Sequence, residues 1–141
     1  MRFMMLIKAN EQSEAGQMPP TEALEAMGRY NEELVKAGVL LAAEGLHASS
    51  KGAKVTFTDG AATVTDGPFT EAKELVAGFW ILQVTSKDEA LEWAKRCPRP
   101  PQGRMEIELR QVHELEDFGP EFTPEQRAAE ERLREELAKK Q

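Results

Sequence analysis

The chain has 141 residues, 40% hydrophobic and 30% charged, with 25 acidic against 18 basic side chains and a formal charge of −7. That length suits one domain, and the acid excess argues against a face that holds nucleic acid by neutralising phosphates. The longest uncharged stretch, Leu75 to Ser86, has 12 residues, short of the ~20 a membrane span needs. The apolar run Phe3 to Ile7 is too short for a secretory signal. Cys97 is the one cysteine, so an intrachain disulfide is excluded, and a cytoplasmic protein with no membrane association is expected.

Residues 2–9, RFMMLIKA, form an apolar run of strand length, expected to be a central strand buried on both faces. Asn10 to Met18 is polar, and Pro19-Pro20 offers a helix start. Leu24, Met27, Asn31, Leu34 and Val35, with Tyr30 beside them, recur at helical spacing and predict an amphipathic helix. Gly38 stands where a left-handed residue ends it. VLLAAEGL at 39–46 reads as a second strand, interrupted by Glu44. In AKVTFTDGAATVT at 53–65, alternation around Asp59-Gly60 predicts a two-residue β-hairpin. DGPFTEAKE at 66–74 reads as a turn with one helical turn, and GFWILQVT at 78–85 as a third long strand. Ser86 and Glu89 have capping-box spacing, opening a helix whose apolar face is Ala90, Leu91, Ala94 and Cys97 and which Pro98 ends. Met105, Ile107 and Leu109 alternate with charged residues, as in a strand with one face on the core. Thr123 and Gln126 frame another capping box around Pro124, opening a last helix with a thin stripe of Ala129, Leu133 and Leu137. That stripe fits either light packing on a partner subunit or a solvated tail.

The order β-α-β, hairpin, β-α-β gives an α+β class: a ferredoxin-like split βαβ sandwich over residues 1–120 with an inserted hairpin, followed by a helical extension at 121–141. Both helices cover one face of the sheet. A second copy of the chain is the economical cover for the other, so a homodimer is expected.

Neither a GxGxxG nor a GxxxxGK[ST] string occurs, and there is no GxSxG nucleophile elbow. His47, Cys97 and His113 are too scattered for a metal-ligand pattern, so neither metal nor cofactor is expected. What remains is a polar group that sheet pairing could gather: Glu44, His47, Ser49, Ser50, Asp66, Glu71, Lys73 and Glu74. His47 is the group here that exchanges a proton near neutrality without a large shift. It is either a general acid or base oriented by Asp66 or Glu44, or an exposed strand-end histidine. Asp66 orients it or accepts main-chain amides of the next turn. Glu44 lies at a pocket mouth or pairs with a base such as Arg110. Ser49, Ser50, Glu71, Lys73 and Arg110 are candidate ligand contacts. Of Phe79 and Trp80, one must point away from the helices. Trp80 belongs either to a dimer core or to the wall of a small-ligand pocket, whereas Trp93 is expected to pack.

DGPFTEAKE at 66–74 followed by GFWIL at 78–82 resembles the DGPF branch of the YCII-related proteins. EGLHASSKGAKV at 44–55, DEALEWAKRCP at 88–98, MEIELRQV at 105–112 and DFGPEFTPE at 117–125 are similar to that family in the same order. The resemblance implies a dimeric α+β barrel made by two ferredoxin-like sheets packed face to face. Shorter relatives carry a His-Asp pair in a cleft and resemble lactone isomerases. Asp66 corresponds to that aspartate, but the first strand and first helix here hold no histidine, so the pair does not carry over intact. The resemblance further implies an association with extracytoplasmic-function sigma factors, hence a regulatory setting.

Two functions follow as expectations. The first is a dimeric module binding a small organic ligand or a sigma-factor-type protein partner, with Gly67, Pro68 and Phe69 shaping the recognition turn: Gly67 for the turn, Pro68 for rigidity, Phe69 as an anchor. The alternative is a cofactor-independent enzyme moving a proton on a small carbonyl compound, with His47, Asp66 and Glu44 catalytic.

Overall fold

In a computed structural model, which describes residues 1–71 and 74–140, the first apolar run forms β1 (Arg2–Lys8). It is followed by a short helix α1 (Glu11–Glu14), helix α2 (Thr21–Lys36), β2 (Leu40–Gly45), the hairpin β3 (Ala53–Thr58) and β4 (Ala61–Asp66), β5 (Val76–Gln83), α3 (Lys87–Lys95), β6 (Ile107–Gln111) and α4 (Pro124–Lys139). The chain divides into two units, Met1–Gln111 and Val112–Gln141.

In the first unit, four strands form an antiparallel sheet in the order β2-β5-β1-β6. This is the ferredoxin-like arrangement, with the hairpin inserted as a separate two-stranded ribbon. Phe3 and Met5 from β1 and Trp80 and Leu82 from β5 point to one face, where they meet Tyr30 and Leu34 of α2 and Ala90 of α3. The Tyr30 hydroxyl donates to the Trp93 carbonyl at 2.7 Å, linking the two helices, and the Tyr30 ring meets Trp80 edge-on at 6.0 Å.

Several expectations are corrected. The first strand is buried on one face only, because Met4 and Leu6 point away from the helices and stay half-exposed. On α2, Leu24 and Val35 are exposed, so its buried stripe is narrower than its apolar spacing suggests. Pro20 lies at the N-cap of that helix rather than inside its first turn. Leu91 is also exposed on α3. Ser86 accepts from the Glu89 amide, but Glu89 returns to the amide and hydroxyl of Thr85 rather than to Ser86, which holds its carboxyl below the usual range. Helix α1 falls in a segment read only as polar, where Asn10 and Ser13 cap each other reciprocally. The hairpin turns through Asp59 and Gly60, both at positive φ as a type I′ turn requires. Its strands stand in solvent: Val55, Phe57, Ala62 and Val64 share one face by register, and Phe57 is 74% exposed.

In the second unit, Thr123 and Gln126 form the expected reciprocal capping box, with Pro124 in the first turn of α4. The rings of His113, Phe118 and Phe122 stack in sequence, and Arg127 donates to the Leu115 carbonyl at 3.3 Å. Glu130 and Arg134 pair one turn apart at 3.5 Å, and Leu133 and Leu137 remain exposed. No helix of the described residues is long and apolar enough to cross a membrane.

Candidate functional site

The DGPF segment is held against Ser49, which opens a short 3-10 turn, Ser49–Lys51. The Ser49 amide donates to Glu14 Oε1 at 3.0 Å, and its hydroxyl donates to Glu14 Oε2. The same hydroxyl accepts from the Phe69 amide at 2.9 Å. The two bonds from Ser49 stabilise the charged carboxylate and keep Glu14 below the usual carboxyl range. Gly67 runs so close that a Cβ there would stand 1.8 Å from the Ser49 carbonyl oxygen. Glycine is required at 67 by lack of space, and not by a positive φ as a turn role would have it. Gly67 donates to the Gly52 carbonyl at 3.0 Å, and the Phe69 amide to Ser49, so neither of these amides of the turn goes to Asp66. The Gly67-Pro68 peptide is cis. The Lys54 ammonium lies 4.3 Å from the centre of the Phe69 ring, tying the base of the hairpin to this segment.

The remaining candidates are dispersed. His47, Ser50, Asp66 and Glu71 are exposed, and Lys73 lies outside the described residues. Ser49 spends its hydroxyl inside the fold, which leaves it poorly placed as a ligand contact. Glu44 is exposed on β2, at one edge of the sheet, while Arg110 is on β6 at the other. Three strand spacings separate them, about 14 Å at ~4.8 Å each, and Arg110 instead reaches Glu108 at 3.3 Å. The expected Glu44–Arg110 pair within one chain is therefore absent. Lys8 meets Glu108 at 3.1 Å, and these two contacts lower the Glu108 carboxyl. Among the described residues, no three His, Cys, Asp or Glu side chains gather into a group able to hold a metal ion.

Trp80 points under the helices, and Phe79 takes the open face. The indole therefore lies in the monomer's own core and not in a dimer core. It also backs a pocket of about 200 Å³ between α2 and the β2–β5 edge, whose lining includes Met27, Asn31, Ala43, Glu44, Phe79 and Trp80. Two glycines face each other across the strands beside the pocket. Gly45 pairs with Gly78, and a Cβ on Gly45 would meet open space. The Trp80 indole N–H donates to Asn31 Oδ1 at 2.8 Å. Asn31 is thus a half-buried polar residue facing the sheet from α2, visible in the sequence as an amide within an apolar stripe. Glu14 had no such signal, since its partner lies 35 positions away. A larger hollow of about 320 Å³, where β1 ends and β6 begins, is walled by Lys8, Glu74, Arg104 and Glu106. Arg104 and Glu106 satisfy each other there at 2.7 Å.

A family profile described as the YCII-related domain matches residues 1–116. A protein of Rhizobium meliloti (strain 1021), described as uncharacterized, is 38% identical over 83 residues, which cover 57% of this chain and 67% of that protein.

Proposed function

Starting from the premise that the chain belongs to the YCII-related family, we propose that it is a homodimeric module that binds a small organic molecule. The observation that carries this reading is the pocket under α2: apolar walls, one oriented amide and a tryptophan at the back are the usual composition of a small-ligand site. A titration with a library of small neutral organic compounds, followed by the Trp80 indole N–H resonance, tests it. Compounds that fit should move that resonance and leave Trp93 in place; if no compound moves it at millimolar concentration, the reading fails.

The open face of the sheet supports the dimer. By register, Met4, Leu6, Phe79 and Ile81 form an apolar block there, with Glu44 on the β2 side and Glu108, paired with Lys8 and Arg110, on the other. A two-fold axis along the strands would bring the apolar blocks of two copies face to face. A regulatory setting, a sigma-factor-type protein partner and a cytoplasmic location belong to the same reading, supported by the likeness of residues 66–74 to the DGPF branch. Acid–base catalysis by His47, Asp66 and Glu44 gains less support, since His47 and Asp66 are both exposed and neither lines the pocket.

A further inference from the structure

We infer that Asn31 selects the ligand class of the Trp80 pocket: a neutral compound with a compact apolar body and one carbonyl-type acceptor, taken by the Asn31 NH₂ group. The inference rests on the binding role proposed for that pocket.

An indole N–H can only donate, so the 2.8 Å contact with Trp80 requires Asn31 to turn its Oδ1 toward the ring. The orientation of the amide is therefore set by chemistry, and its NH₂ faces away from Trp80. The Asn31 side chain makes no other hydrogen bond to the described residues. Of the other side chains that line the pocket, Glu44 alone offers an acceptor. Glu44 and Phe79 pair across the strands and project to the opposite face, so the buried side of the pocket holds one polar side chain, and that side chain is a donor. A ligand atom that accepts from it gains a hydrogen bond, while an apolar ligand covers the NH₂ without supplying a partner.

The charge state follows from the same surroundings. No lysine or arginine lines the pocket, Glu44 flanks its rim, and the chain carries a net charge of −7. A carboxylate or phosphate would lose hydration without meeting a cation. A ketone, lactone or amide presents the acceptor without that penalty. The volume of about 200 Å³ suits a single six-membered ring with its carbonyl.

The test uses the full-length protein and three probes of similar size: cyclohexanone, methylenecyclohexane and cyclohexanecarboxylate. Binding is read from the indole N–H resonances of Trp80 and Trp93. Cyclohexanone should bind about five- to tenfold more tightly than methylenecyclohexane, the size of one neutral hydrogen bond, and more tightly than the carboxylate. Asn31→Asp at pH 8 keeps the acceptor for Trp80 but loses the NH₂, and should erase the preference for cyclohexanone over methylenecyclohexane. Asn31→Leu should do the same without introducing charge, so a folding defect in one variant leaves the other to decide. Equal binding of cyclohexanone and methylenecyclohexane, tighter binding of the carboxylate, or an unchanged preference in a folded Asn31 variant would overturn the role of Asn31 while leaving the pocket a binding site. If none of the three probes moves the Trp80 resonance, the ring-carbonyl class is overturned, and failure of the broader library as well removes the binding role itself.

Discussion

Ser49 and Glu14 are joined twice, the main-chain amide of Ser49 donating to one carboxylate oxygen and its hydroxyl to the other. Because the hydroxyl also accepts from Phe69, Ser49→Ala should leave the Phe69 amide and one Glu14 oxygen without their partner. The lost Phe69 hydrogen bond should cost ~0.5–1.5 kcal/mol, measured as a fall in the urea midpoint with an unchanged slope.

The same pair sets a pH dependence. Glu14 is held below its ordinary value of 4.5, so its folded pKa is depressed. The stabilisation is present above 4.5 and is lost as pH falls through the lowered value. In urea titrations, the gap between the wild type and Glu14→Gln should be widest at neutral pH and should close in acid. A gap that widens in acid would contradict this sign.

Gly67 and Gly28 should respond oppositely to alanine. At 67 a Cβ would meet the Ser49 carbonyl oxygen at 1.8 Å, main chain that has no rotamer to yield, and a loss of ~3 kcal/mol or more is expected. At 28, inside α2, a Cβ meets nothing within 4 Å, and alanine should stabilise by ~0.5–1 kcal/mol. Thermal midpoints of both variants decide.

Cys97 is 1% exposed, and burial pushes its thiol up from 9.0 to about 11. At pH 8 it should react with a disulfide reagent far more slowly in the native protein than in urea. Its raised pKa stabilises the fold below pH 9, and that contribution declines as pH rises from 9 through about 11.

Most of the fold is legible along the chain because the signals are local. Asp59-Gly60 specifies a turn by its dihedral needs, Gly38 ends a helix at positive φ, and Met105, Ile107 and Leu109 alternate toward the core. The candidate site is less legible. Ser49 and Asp66 look available as lone polar residues, yet the hydroxyl of Ser49 is consumed by Glu14, which lies in a segment without periodicity. Whether Phe79 or Trp80 turns under the helices depends on strand register with β1, which alternation alone leaves open. The Trp80 pocket is lined by two glycines from different strands, and nothing local in either strand marks their pairing.

The closure of the open sheet face by a second copy is the point on which the account turns. Sedimentation equilibrium of the wild type and of Phe79→Glu measures it directly. The wild type should weigh twice its 15.7 kDa chain mass, and Phe79→Glu, which places a charge amid Met4, Leu6 and Ile81, should weigh one chain mass with its fold retained. A wild type that stays at 15.7 kDa at high micromolar concentration, or a folded Phe79→Glu that remains dimeric, would contradict it.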